Sequence, residues 1–182
     1  MQPVTGLDGP TDAALAAAWR AGSEQAAADL VRRHASALAR FLAGSGAPPG
    51  EVEDLAQEAF FRAFRGLDGW RKESSFRSWL FSIGANLARD AFRRRKGRVV
   101  LSIDDHEVAG RDDPASRVVA GEAAERIRAG LAGLPRLQRE VFLLRVQQGM
   151  EYGEIAGTLG TTAGAARVHY HHAVKRLKEL VP

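Results

Sequence analysis

Between residues 70 and 89 aromatic rings and cations share one short stretch: Trp70, Arg71, Lys72, Phe76, Arg77, Trp79, Phe81 and Arg89. Ser74, Ser75 and Asn86 lie among them as small polar groups. Cations neutralise phosphates, and rings stack on unstacked bases or wall pockets for them, so this mixture suits single-stranded nucleic acid. Phe76 and Trp79 fit an ordinary core at least as well, because they fall on an apolar stripe at helical spacing. Trp70 and Phe81 are less easily assigned to a core.

A second group lies near the C-terminus. A short helical segment from about Tyr152 to Leu159 is followed by Gly160 and by Thr162, a good N-cap for a longer helix from about Ala163 to Leu180. Ala166, Tyr170, Ala173, Leu177 and Leu180 form its inner stripe. Gly164, Val168, His171, Lys175 and Lys178 then point directly away, flanked by Arg167 and His172. Two helices joined by a tight glycine turn, the second longer and basic, form the helix-turn-helix pattern, whose second helix reads the major groove. A helical hairpin with a solvated outer face has the same pattern. His169, His171 and His172 invite a metal reading. Their spacing argues against it, since two ligands on one helix normally sit at i and i+4, or at i and i+3 with outside help. His169 and His172 meet only the weaker condition, and no nearby carboxylate is evident. No metal or other cofactor is expected.

A third group, Asp54, Gln57, Glu58 and Phe61, is left on the outer side of a helix whose inner side is Val52, Leu55, Ala56, Ala59, Phe60 and Ala63. It reads either as a solvated acidic face or as a docking surface that mixes polar and apolar groups. Asp54 and Glu58 as a catalytic carboxylate pair would lack a third ligand, a histidine or a phosphate loop, so no enzyme is expected.

The elements that must position these groups are all helical. Of 182 residues, 45% are hydrophobic and 26% charged, a balance that favours folded domains over disorder. The net charge of +4 favours a polyanionic partner. With no cysteine, disulfides and thiolate chemistry are excluded. No signal peptide or spanning segment is seen, so a cytoplasmic protein without membrane insertion is expected. Helices are predicted after Thr11, after Ser23, over about 50–64 and after Ser75, the last ending in the cations Arg93 to Lys96. The stretch 97–114 loses periodicity and holds Asp104, Asp105, Glu107, Asp112 and Asp113. It reads as a flexible acidic linker, with Val99 to Ile103 the lone strand-like run. The predicted organisation is a loose tail over 1–10, a helical domain over 11–96, the linker over 97–114 and a second helical domain over 115–182. The fold class is all-α.

Taken together, these segments resemble a known family. The run Asp54 to Phe64, then Ser74 to Leu80 and Asn86-Leu87-Ala88, resembles region 2 of the extracytoplasmic-function sigma factors of the sigma-70 family. Leu134 to Arg145, Tyr152 to Ala156 and Leu159-Gly160 resemble region 4 of the same group. The resemblance spans about residues 23 to 180. It implies a non-catalytic initiation subunit that binds core RNA polymerase, through the β′ clamp and the β subunit, and directs it to promoter DNA. Asp54, Gln57 and Glu58, with Phe61 beside them, would grip the clamp. Trp70, Arg71, Lys72, Ser75, Phe76, Arg77, Trp79, Asn86 and Arg89 would engage the −10 element and a base flipped from the opened strand. Thr162, Gly164, Arg167, Val168, His171, His172 and Lys175 would read the −35 element. The linker would thread towards the active-site and RNA-exit channels, and an anti-sigma factor is an expected partner.

The chain departs from the family in carrying Ala165, Ala166, Val168, His169, His171 and His172 where arginine, lysine or a small polar residue is usual. Imidazoles replace poorly the bidentate guanidinium–guanine contact, which discriminates by ~1–3 kcal/mol. Its −35 preference is therefore not predictable from relatives. The bulk of Trp70 likewise leaves the flipped-base preference open. A free-standing helix-turn-helix regulator, able to bind duplex DNA unaided, is the competing reading.

Overall fold

The computed structural model describes residues 9–70, 74–101 and 121–180. Among these, all regular structure is helical: α1 (Asp12–Arg20), α2 (Glu24–Gly44), α3 (Val52–Arg65), α4 (Phe76–Leu101), α5 (Gly121–Ala132), α6 (Arg136–Val146), α7 (Tyr152–Leu159) and α8 (Ala163–Leu180). Single 3₁₀ turns over Pro49–Glu51 and Leu67–Gly69 precede and follow α3. The expected tail, apart from residues 9 and 10, lies outside the described residues, as do positions 102–120.

The predicted caps form. Thr11 accepts from the Ala14 amide at 3.2 Å and Ser23 from Ala26 at 3.3 Å. The Ser75 hydroxyl accepts from the Ser78 amide at 3.1 Å and opens α4. Such caps satisfy amides that a helix start otherwise leaves without partners, at about 1 kcal/mol each. Gly22 carries φ of +95°, a left-handed conformation that lets the chain reverse between α1 and α2.

α2, α3 and α4 pack together around Leu30, Leu38, Phe41, Leu42, Ala59, Phe60, Ala63, Phe76, Leu80 and Phe81. Phe41, Phe76 and Phe81 are among the fully buried side chains, and burial of each contributes roughly 1.5–3 kcal/mol. Phe81 therefore belongs to the core, its ring 5.3 Å from that of Phe41. It was invisible as a core residue because α4 is covered on more than one side and so has no single apolar stripe.

α4 also runs on to Leu101, five residues past the expected end at Lys96. The cations Arg93, Arg94 and Arg95 are therefore interior to the helix rather than at its C-terminal dipole end. Val99, Val100 and Leu101 are helical, not the start of a strand.

The second bundle consists of α5 to α8, with α8 packed on α5, α6 and α7. Val141, Leu143, Leu144, Met150, Ile155, Ala166 and Ala173 are buried in it. The two bundles meet along a seam, α7 against α4 and α6 against α2. Leu143 presses on Gly44 so closely that a Cβ there would lie 2.9 Å from its methyl carbon. The polar contacts across the seam are long: Ser78 Oγ donates to Glu154 Oε1 at 3.5 Å and Thr158 Oγ1 to the Ser78 carbonyl at 3.4 Å.

Candidate nucleic-acid and polymerase interfaces

The C-terminal face is built by a three-residue turn. Gly160 adopts φ of +66° and ends α7, and Thr161 N–H returns to the Ala156 carbonyl at 3.0 Å. Thr162 then caps α8, its hydroxyl accepting from the Ala165 amide at 3.1 Å. Ala166 and Ala173 are buried, so the opposite row is fixed outward: Gly164, Arg167, Val168, His171, His172 and Lys175 are all exposed. Val168 is 51% exposed, an apolar group in the centre of a polar face. Such a side chain suits contact with a thymine methyl. His169 is half-buried and lies off this row.

Arg167 is not a loose cation. Its guanidinium carbon lies 5.3 Å from the ring centroid of Tyr152, and Arg145 lies 4.9 Å from the same centroid. Tyr152 in turn meets Tyr170 edge-on at 6.1 Å, and Tyr170 stacks on Phe142. A ring quadrupole attracts a guanidinium and narrows its range of positions, which lowers the entropy lost when it binds. Sequence reasoning placed Arg167 on the surface but not Tyr152 beneath it. The two are fifteen positions apart and meet only through the turn.

The N-terminal aromatic group is arranged differently from the expectation. Trp70, expected to contact DNA, is 7% exposed. Its indole N–H donates to the Ser74 carbonyl at 3.1 Å, and its ring packs on Phe76 and Trp79. Phe76, also expected at DNA, is 1% exposed, and Ser75 is occupied as the cap of α4. The two rings shape the surface from below, whereas Ser75 is itself exposed. A buried ring lowers the free energy of the fold more than one left in water.

Arg77 and Trp79 are half-buried and Asn86 is exposed, so these three can still reach a ligand. Arg89 turns towards the second bundle, where its charge acts on buried Glu140 and its Nε has no hydrogen-bond partner among the described residues. Arg71 and Lys72 lie outside the described residues.

On α3, Asp54, Gln57 and Phe61 are exposed, Phe61 by 55%. Glu58 is half-exposed and pairs with Arg62 at 2.6 Å; Arg65 lies over the Phe61 ring at 5.4 Å. An exposed i,i+4 pair contributes only about 0.3–0.5 kcal/mol, so Glu58 is readily redirected to another cation. A groove beside this face has Glu51, Asp54 and Glu58 on one wall and Arg94 and Arg95 on the other, with Leu87 and Ala91 at its base. Arg94 and Arg95 stand within α4 and face this groove opposite α3.

The family model for Sigma-70 region 2 matches residues 30–98, and that for Sigma-70 region 4 matches residues 124–177. The chain belongs to the extracytoplasmic-function sigma factors of the sigma-70 family. It is 34% identical over 179 residues to the RNA polymerase sigma factor CnrH of Cupriavidus metallidurans, covering 93% of this chain and 94% of that one. It is 36% identical over 174 residues to the ECF RNA polymerase sigma factor SigF of Caulobacter vibrioides, covering 96% and 88%. The solved structure of CnrH in complex with the cytosolic domain of CnrY superposes with a TM-score of 0.71 at 32% identity, over 93% of this chain and 96% of that chain. The all-α fold with a region 2 and a region 4 bundle is thus shared by sequence and by structure. As a sigma factor the chain serves promoter-directed transcription initiation.

Proposed function

We propose that α3 docks this sigma factor on the β′ clamp of core RNA polymerase, that α4 engages the opened −10 element, and that α8 reads the −35 element. The observation that carries the reading is the outward row of α8, with Arg167 steadied over Tyr152 while the opposite side of the helix is buried. A second helix with that polarity is free to enter a major groove. The factor supplies surfaces and no catalytic group, and an anti-sigma protein is its inhibitory partner. Among the described residues no helix is long and apolar enough to cross a membrane. Adding the chain to core polymerase with a promoter library tests the proposal. Start-site-specific transcripts are expected, whereas tight duplex binding by the chain alone, without stimulation of transcription, would favour the free-standing regulator.

Two substitutions test the surfaces separately. Gln57→Ala with Glu58→Ala should weaken association with core polymerase, measured by equilibrium titration, by about 10- to 100-fold if the pair sits at an interface centre. Melting should not change, since both side chains are outside the core. Unaltered affinity would remove α3 from the docking face. Arg167→Ala should lower initiation from −35-dependent promoters and reduce discrimination at one base pair by about 5- to 100-fold, the range for one lost base contact. Unchanged selectivity across the library would move the recognition surface elsewhere.

The two reading surfaces cannot be used together in the arrangement described above. Elements centred at −10 and −35 are 25 base pairs apart, roughly 85 Å along B-DNA at ~3.4 Å per pair. With α7 lying directly on α4, no such separation exists. Promoter engagement therefore requires the seam to open. The seam is suited to opening. Its cross-bundle hydrogen bonds are long, and Arg89 and Arg139 each bury an Nε without a partner among the described residues. Each such atom costs about 1–3 kcal/mol that separation returns.

A further inference from the structure

The first helix lies N-terminal to the segment that matches region 2, which begins at residue 30. It is nevertheless tied to both sides of the surface assigned above to the −10 element. At its C-terminal end, the Arg20 guanidinium donates to the Leu67 carbonyl and pairs with Asp68 at 3.2 Å. The same carbonyl accepts from the Trp70 amide at 3.2 Å and closes the 67–69 turn. That turn sets the position of Trp70, whose ring stacks on Trp79 at 6.1 Å. Trp19, next to Arg20, packs on Phe64 at 5.3 Å and seats the helix end against α3.

At the other end of α1, Asp12 accepts from Arg33 at 3.0 Å and contacts His34 Nε2 at 2.7 Å. His34 is buried, with its ring 5.8 Å from Phe76, the first residue of α4. One nine-residue helix therefore grips the turn before the binding surface directly and the start of α4 through one intermediate ring.

We propose that α1 is a brace that sets the −10 reading surface, with Arg20 as its positioning residue. Arg20 touches no DNA in this scheme. It fixes the Leu67 carbonyl and, through the 67–69 turn, the Trp70–Trp79 stack from which Arg77 and Trp79 are presented. The inference rests on the assignment of α4 to the −10 element. A guanidinium suits the task because it can meet the carbonyl and the Asp68 carboxylate at once with fixed donor geometry.

The test uses the full chain with core polymerase on a library varied only in the −10 element. Arg20→Ala is expected to compress the ratio between the preferred and singly substituted −10 sequences by about three- to tenfold. Affinity for core polymerase and helical content should not change. Arg20→Lys, which keeps one donor, should recover part of the ratio, and Arg77→Ala serves as the direct-contact control. A uniform fall in transcription across all −10 variants of Arg20→Ala would signify a merely structural role and overturn the brace. A shifted preference in Arg77→Ala with none in Arg20→Ala would also overturn it, while leaving the assignment of α4 intact. If neither variant alters −10 preference, that assignment fails and the brace with it.

Discussion

Joining Ser82→Cys and Gly157→Cys with a short reducible bis-maleimide is expected to abolish promoter-directed transcription, and reduction is expected to restore it. Both positions line a cavity of about 460 Å³ between α4 and α7, together with Ser78, Trp79, Glu154 and Thr158. A Cβ at Gly157 meets nothing within 4 Å, so the cysteine is accommodated without disturbing α7. The chain has no cysteine of its own, and labelling is therefore confined to the introduced pair. The linked protein retains every side chain assigned to DNA or to polymerase. What it loses is the ability to place α4 and α8 on elements roughly 85 Å apart at ~3.4 Å per base pair. Two tethered modules lose about 10²- to 10⁴-fold in joint binding when geometry forbids simultaneous engagement. Each singly substituted, maleimide-treated protein should remain active. Full activity of the linked form would show that the seam need not open, and the division of labour between α4 and α8 would have to be abandoned.

Replacement of Arg136 by alanine should destabilise the second bundle, and more so at neutral pH than in acid. Glu140 is 1% exposed, and Arg136 Nη1 donates to its Oε2 at 2.6 Å. Burial pushes the Glu140 carboxyl above its ordinary value, while the Arg136 hydrogen bond and the charges of Arg136, Arg89 and Arg139 pull it back. Removing one partner of a buried pair costs ~3–5 kcal/mol. Because Arg136 is itself 39% exposed and two other arginines remain, about 2 kcal/mol is the reasonable expectation.

The direction with pH follows from linkage. A carboxyl whose folded-state pKa is raised binds its proton more tightly in the folded chain, so its ionisation costs stability above the ordinary value of 4.5 and costs nothing below it. Without Arg136 that cost grows. The stability gap between parent and variant should therefore be widest near pH 7.5 and narrow as pH falls through the raised value towards 4.5. Urea unfolding at several pH values measures it, and a gap that widens on acidification would contradict the account.

Much of this was legible from residue order because local rules suffice for it. The caps Thr11, Ser23, Ser75 and Thr162 stand at the predicted helix starts, since a hydroxyl satisfying amides two or three residues on needs no tertiary partner. The outward row of α8 followed from the spacing of Ala166, Tyr170 and Ala173 alone, because a straight helix carries one buried stripe. Asp54, Gln57 and Phe61 were placed outward by the same reasoning.

Other features depended on contacts between distant residues. Trp70 reads as a binding group by composition and Phe76 as either a core or a binding group, yet the fold places both beneath the surface against Trp79. Arg89 has the sequence character of a phosphate contact, but the seam points it at Glu140. Glu140 itself looks like one more solvated charge of α6 until α2 is packed against that helix and the charge of Arg89 on α4 acts on it. Local spacing reports which side of a helix is apolar, whereas it carries no record of which other helix arrives, or from how far along the chain. Residue order by itself settled the capped helix starts and the outward row of α8. The seam, the Tyr152 seat under Arg167 and the Arg20 clasp on Leu67 were decided by tertiary packing, because each joins groups that only the assembled bundles bring within reach.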